Sequence, residues 1–322
     1  MDMLSVIFMG SPDFAVPCLN SLANRPNVAI NGVFTRKDKP AQRGRRLEST
    51  PVKRRAAELG LPIFQLGSLR KASSWDTIRA LRPDIIVVAA FGQILPKEIL
   101  EIPTYGCVNL HASLLPTYRG AAPISAAILQ GDPETGVTLM AMDEGLDTGA
   151  IITQNHIPIA SDDTTETLTG KLAELGAQML DKHLEDYING KLPPIPQNSA
   201  MAVTTQLIRK EDGCIDWNMP AEYIERMTRA YYPWPGAFTF WNDTLLKIQR
   251  ASPRQNTQNT EPAGTVILQG KGKNQEIQII CGQNTSLALD IIQLQGKRFM
   301  PAGDFIRGYP AFVGSVLRSV KN

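Results

Sequence analysis

No apolar run in this chain is long enough to cross a membrane, and the opening MDMLSVIFMG enters a strand-like run without a basic leader or a small-residue cleavage site. A membrane-spanning or exported protein is thereby disfavoured and a cytoplasmic one expected. Cysteine is scarce. Cys18, Cys107, Cys214 and Cys281 stand far apart with no CxxC pair, which argues against a zinc ribbon, a disulfide framework and a redox dithiol, and leaves isolated reduced thiols. Histidine is scarcer: besides His111 there are only His156 and His183, which have no partner at ligand spacing, so no metal is expected. Glycine is short at one telling place. After the strand-like run Leu4 to Met9 only Gly10 stands where a dinucleotide fingerprint needs three glycines, which speaks against a nicotinamide site.

The chain is otherwise ordinary for a globular protein, with 43% hydrophobic and 20% charged residues, and its 322 residues make two domains the natural expectation. Its net charge of +2 hides an uneven distribution. Between Arg36 and Arg55 nine Lys/Arg face only Asp38 and Glu48, a local excess of seven, and from Arg209 onward fourteen Lys/Arg face ten Asp/Glu. Two basic regions make a polyanionic partner plausible.

Alternating strand-like and helix-like segments predict a doubly wound, mostly parallel α/β sheet up to about Gly190. Asp84 to Ala90, DIIVVAA, is unbroken and β-branched, as in a strand buried on both faces. It runs into Phe91 to Pro96, a loop expected to expose its aromatic. Thr50 reads as the N-cap, and Pro51 as the first residue, of a helix over 52–59. The Pro-rich stretch 191–205 reads as an extended linker between a domain over 1–190 and one over 206–322. In the second, short strand-like runs at regular spacing suggest a small β-barrel or sandwich.

The chemistry concentrates in two stretches, the run from Gly106 to Gly120 and MDEGLDTG from Met142 to Gly149. Asn109 and His111 stand two apart in a strand-like run, so a period of two puts both on one face, near the strand's carboxyl end where open α/β sheets collect their chemistry. Asp147 follows in a loop bracketed by glycines. Donor, proton-transfer group and orienting carboxylate are then all present. Taken alone, His111 reads as a structural histidine, Asn109 as a strand-end cap and Asp147 as an Asx turn; it is their combination that points to a site. A Ser113–His111–Asp147 triad lacks the elbow that would lift the serine out of the sheet.

These segments carry a resemblance that extends over essentially the whole chain. Through GSPDFA (Gly10 to Ala15), PVK (Pro51 to Lys53), NLHASLLPTYRGAAPI (Asn109 to Ile124), MDEGLDTG, IDW (Ile215 to Trp217) and YYPWPGA (Tyr231 to Ala237), it resembles the 10-formyltetrahydrofolate-dependent formyltransferases, and among them the methionyl-tRNA enzymes. The resemblance implies a formyltransferase fold followed by an OB-like barrel, and formyl transfer from 10-formyltetrahydrofolate to the α-amine of methionyl initiator tRNA. Asn109 and His111 would meet the oxygen on which negative charge develops, and Asp147 would orient His111 and help relay the amine's proton, with no metal. Ser113, Leu114, Leu115 and Pro116, with Phe91, Gly92, Ile94 and Leu95, would line the folate pocket. The basic loop carrying Arg36, Lys37, Lys39, Arg43, Arg45 and Arg46 would meet the tRNA acceptor stem, Arg43 at the position of the family's key arginine and Gln42 where a glycine is common.

Arg119 reads as a loop-holding residue, and Tyr231, Tyr232 and Trp234 as inter-domain or barrel core. A monomer is the working expectation. The rival readings are formylation of another amine, such as a sugar nucleotide or glycinamide ribonucleotide, hydrolysis of the formyl-folate, and, in a different class, a non-catalytic RNA-binding protein.

Overall fold

The computed structural model describes residues 3–40, 47–255, 261–272 and 275–319. They form two compact units. The first holds 1–123, 134–158 and 168–206, and the second 124–133, 159–167 and 207–322.

In chain order the first part of the molecule runs β1 (Leu4–Gly10), α1 (Val16–Ala23), β2 (Val28–Phe34), β3 (Lys39–Pro40), β4 (Leu47–Glu48), α2 (Pro51–Glu58), β5 (Ile63–Phe64), α3 (Ala72–Ala80), β6 (Ile85–Ala89), α4 (Lys97–Leu100), β7 (Cys107–His111), β8 (Arg119–Gly120), α5 (Pro123–Gln130), β9 (Glu134–Ala141), β10 (Ile151–Pro158), α6 (Thr165–Ile188) and β11 (Thr204–Thr205). One seven-stranded sheet takes the order β10-β9-β7-β6-β1-β2-β5. Its centre is parallel, β1 pairing with β2 and β6, and β6 with β7, while β9 and β10 are antiparallel. The wholly buried β6 is such a central strand because apolar β-branched side chains fill both of its faces. From β1 the chain winds outward through β2 and β5, then crosses back to β6. That reversal sets the carboxyl ends of β1 and β6 side by side, Gly10 opposite Ala89, the place where open α/β sheets take their ligands.

The stretch 191–205 is not extended throughout, since Ser199–Met201 forms a 3-10 turn, and its backbone is tied to the first unit: Ile195 pairs with Ile151, and β11 lies parallel to β8. Phe91, expected to be exposed, is buried, and its neighbour Ile94 is 61% exposed instead. Left-handed Ala90 (φ 46°) and Gly92 (φ 74°) turn the chain so that the ring tucks into the core beside Ile7, Val88 and Leu95.

The second unit continues with α7 (Ala221–Ala230), β12 (Ala237–Trp241), β13 (Thr244–Gln255), β14 (Val266–Gln269), β15 (Glu276–Cys281), β16 (Thr285–Leu294), β17 (Met300–Pro301) and α8 (Ala302–Gly308). Its sheet has the order β12-β13-β16-β15-β14. The last described segment closes it into a barrel, Val316 bridging to Thr265 ahead of β14 and Arg318 to Phe240 of β12. Left-handed pairs Asn242–Asp243 and Gln283–Asn284 make the tight turns whose twist suits adjacent antiparallel strands. Trp241 packs edge-on against Phe305, Tyr309 and Phe312 at the barrel's centre.

Of the three aromatics read as core, Tyr231 does pack against this cluster, whereas Trp234 is 58% exposed. The 231–236 loop closes on itself through Gly236 N–H to the Tyr231 carbonyl, and Pro235 rather than Trp234 takes the inward place.

Candidate active site

The site grows from β7, the last strand of the parallel set, which lies between β6 and antiparallel β9. Leu110 faces α6, whose Gly176 lies against it, so Asn109 and His111 face the other way. They are 8% and 6% exposed. His111 Nε2 lies 2.9 Å from the Tyr118 carbonyl, and because a carbonyl only accepts, this nitrogen donates. The Nδ1 is left to face the site. Asn109 makes no side-chain hydrogen bond to any described residue, so its amide is free to donate to a bound molecule.

Asp147 arrives by a detour. β9 runs antiparallel to β7, so the loop that follows begins level with the amino end of β7, where Met142 N–H donates to the Cys107 carbonyl at 2.8 Å. It then returns toward the carboxyl end. Asp147 Oδ2 stands 3.6 Å from His111 Nδ1 and accepts from Gly120 N–H at 2.8 Å. At 3.6 Å the two are just beyond direct hydrogen bonding, and they form an ion pair only when the ring carries both protons. Gly120 reaches the carboxylate with φ 108°, a conformation that a side chain would oppose, and a Cβ there would also collide with the Thr205 carbonyl.

Sequence reasoning missed Gln197, which braces the Asp147 loop. Gln197 donates to the carbonyls of Asp147 and Gly149 at 2.9 and 2.7 Å, and its own oxygen accepts from Arg119 Nε and a terminal nitrogen at 3.0 and 2.8 Å. Arg119 thus does hold a loop. The signal available was thin: one long amide among prolines, fifty residues from the loop it holds.

The loop from Ser113 to Pro116 is braced in the same way. Ser113 is fully buried, its hydroxyl donating to the Thr117 carbonyl at 2.6 Å, which removes it as a nucleophile. Buried Thr138 of β9 donates to the Ser113 carbonyl at 2.6 Å and accepts from Leu115 N–H at 3.1 Å, and Gln154 of β10 donates to the Leu115 carbonyl at 2.9 Å. The peptide groups of Leu115 are therefore spent inside the protein, while Leu114 and Pro116 are half-buried. Gly136 of β9 must be bare, since a Cβ there would collide with Leu114 and the Asn155 carbonyl. At the strand reversal, no backbone amide from Gly92 to Leu95 donates to a described residue. That loop offers free donors beside the apolar floor of Phe91 and Leu95.

Of the basic segment, Arg43, Arg45 and Arg46 lie outside the described residues, and the Lys39 side chain likewise. Arg36 donates to the Gly92 carbonyl, so it braces the 91–95 loop, and Lys37 is exposed. Lys53 is paired with Asp38 at 2.6 Å. Hydrogen bonds from Lys53 and Gln65 hold the Asp38 carboxyl below its ordinary range, with the Lys53 charge and Ser49 adding to them. Burial pushes the thiols of Cys18, Cys107 and Cys281 up to about 12, so they are protonated and inert at neutral pH.

A doubly wound sheet with amide, imidazole and carboxylate gathered beside its last parallel strand, followed by a small barrel, defines the class of formyl transferases. The family described as "Formyl transferase" matches residues 3–184, and "Formyl transferase, C-terminal domain" matches residues 207–310. A methionyl-tRNA formyltransferase of Citrifermentans bemidjiense is 42% identical over 314 residues, covering 98% of this chain and 96% of the relative. One of Myxococcus xanthus is 44% identical over 310 residues, covering 96% of each. Among solved structures, a sugar 3N-formyl transferase crystallised with dTDP and 5-N-formyl-THF matches with TM-score 0.64 at 20% identity, over 92% of this chain and 100% of that one, a likeness of fold. The chain belongs to the methionyl-tRNA formyltransferase family.

Proposed function

We propose that this protein transfers the formyl group of 10-formyltetrahydrofolate to the α-amine of methionyl initiator tRNA, and that Asn109, His111 and Asp147 carry the transfer. The observation that carries the assignment is the approach of Asp147 to His111 at 3.6 Å beside an Asn109 amide with no described partner. As the amine adds to the formyl carbon, the formyl oxygen gains negative charge. Donors already aimed at that oxygen lower the barrier because they need no reorganisation. The Asn109 amide is one such donor, and His111 Nδ1–H, when the ring is charged beside Asp147, is the other. Asp147 then stabilises the charged ring and takes part in carrying off the proton that the amine must lose.

The folate is proposed to lie at the strand reversal, a reading supported by the free backbone amides in Gly92 to Leu95, suited to a heterocycle edge, and by the apolar Phe91 and Leu95 beside them. The relatives named above support the acceptor, methionyl-tRNA. The basic loop, with Lys37, Lys39 and the three arginines after it, is proposed to meet the acceptor stem through phosphate contacts. Activity in the cytoplasm as a monomer completes the reading.

The test is to incubate the protein with charged initiator tRNA and 10-formyltetrahydrofolate labelled in the formyl group, and to count label on the tRNA. Label is expected there, with Asn109→Ala and Asp147→Ala each losing on the order of 100-fold or more in rate while tRNA affinity stays within about twofold. Undiminished transfer in either variant refutes the site assignment. Tight, salt-sensitive tRNA binding with no label transferred would favour a non-catalytic RNA-binding protein, and label passing to a sugar nucleotide or glycinamide ribonucleotide instead would move the acceptor.

A further inference from the structure

The Asp147 backbone sits at φ 53°, in the left-handed region that few residues other than glycine adopt and that aspartate enters more readily than most. We infer that Gln197, locked in one orientation by Arg119, is the positioning residue that holds Asp147 there, a proposal that rests on the reading of Asp147 as the site's carboxylate.

Gln197 Nε2 donates to the carbonyls on both sides of Thr148, those of Asp147 and Gly149. A two-point hold of this kind fixes the peptide planes of the turn as well as its place. The amide cannot rotate by half a turn, because its oxygen would then face two carbonyls and its NH2 would face two guanidinium donors. Arg119 enforces that choice. It is 7% exposed, has no carboxylate partner among the described residues, and spends Nε and a terminal nitrogen on the Gln197 oxygen. A buried guanidinium facing only neutral acceptors is costly, and a fork on one amide oxygen gives orientation in return.

The same dipeptide grips Asp147 a second time. The Gly120 amide, next in the chain to Arg119, donates to Asp147 Oδ2 at 2.8 Å, so main chain and carboxylate are both referred to one short strand. That strand is itself pinned, Arg119 N–H donating to the Val203 carbonyl at 2.8 Å. The segment 197–205 therefore sets the distance from Asp147 to His111, although it donates no atom to the reaction.

Two variants test this. Gln197→Met nearly conserves volume and removes both ends of the amide. Gln197→Glu keeps an acceptor for Arg119 and sets an oxygen against the two carbonyls. Each is expected to lower kcat for formyl transfer by on the order of 10- to 100-fold, the size of effect that a misplacement near 1 Å produces, with KM for both substrates within about twofold. In an Asp147→Asn background, followed in single turnovers, neither is expected to lower the rate further, because the amide acts only through that carboxylate.

A wild-type kcat in Gln197→Met overturns the proposal, as does an equal loss in both backgrounds, which would mean a general structural role. Should Gln197→Met melt below the assay temperature, Arg119→Met, which removes both donors to the Gln197 oxygen, carries the same comparison. Asp147→Asn alone separates the two readings. Wild-type transfer there removes the site assignment, and this proposal with it, whereas loss there with full activity at Gln197 variants removes only the proposal.

Discussion

Thr138 has one hydroxyl and uses all of it. It donates to the Ser113 carbonyl at 2.6 Å, and its two acceptor positions take Leu115 N–H at 3.1 Å and Gln154 Nε2 at 2.8 Å, in a residue with no exposed surface. Thr138→Val would keep the shape and leave an acceptor and two donors without that partner in a dry place. The expected loss is about 2–4 kcal/mol, since a stranded buried polar group costs about 1–3 kcal/mol and Gln154 can still bond elsewhere. Urea unfolding of the variant against the wild type checks it, and a midpoint shift below about 1 kcal/mol equivalent would show that the loop relaxes around the loss. At this scale the sequence was legible where a period of two or a glycine bracket marked the residue, as for Asn109, His111 and Asp147. Thr138 and Gln197 could not be found that way. Their partners lie 25 and about 50 residues away, and a threonine in an alternating strand or a glutamine among prolines looks the same whether or not it braces a site. Ser113 is the converse, a tempting nucleophile by position that the fold consumes as a loop lock.

Elements were more legible than the paths between them. Thr50 caps α2 through Lys53 N–H at 3.1 Å with Pro51 first in the helix, and β6 falls close to its expected limits, because capping chemistry and apolar runs are local signals. The short α4, the helices α5 and α8, and the antiparallel direction of β9 were not visible. Direction is set by where a strand finds a partner, and residues in the strand do not record it. The segment leading into α2 shows the same long-range dependence: Asp38 accepts from Lys53 at 2.6 Å and Gln65 Nε2 at 2.9 Å, tying the chain before β3 to α2 and to the residue just after β5. Because these bonds lower the Asp38 pKa in the folded state, their stabilisation is complete at pH values above the ordinary carboxylate range and fades as pH falls through the lowered folded value. Asp38→Asn should accordingly be less stable than the wild type at pH 7, and the gap should narrow as the pH is taken below about 4, where the free carboxylate would protonate. Melts from pH 7 down to pH 3 decide it; a gap that stays constant would mean that the asparagine loses shape or bonding rather than charge.

Across the whole molecule a net charge of +2 is too small to draw a polyanion by itself, so placement has to do the work. The sequence shows a local excess of seven between Arg36 and Arg55 but does not say which cations are spent at home. Several are. Lys53 is paired with Asp38, Arg55 with Glu58 and Asn20, and Arg54 and Arg36 with the carbonyls of Ser49 and Gly92. The charges left for phosphates are then Lys37 and those whose side chains lie outside the described residues, Lys39, Arg43, Arg45 and Arg46. Each phosphate that a protein cation neutralises releases condensed counterions, contributing about 0.7–0.9 to the slope of log affinity against log salt. Replacing Arg43, Arg45 and Arg46 together by alanine should therefore flatten the salt dependence of tRNA binding by about 2–3 units, while Lys53→Gln, which removes a cation already neutralised by Asp38, should leave the slope within about half a unit and appear in stability instead. Filter-binding titrations at a series of salt concentrations measure both. A triple variant with the wild-type slope would place the RNA contact elsewhere, with the fourteen Lys/Arg from Arg209 onward as the next region to neutralise, and an equal effect of Lys53→Gln would mean that its pair with Asp38 opens when RNA binds.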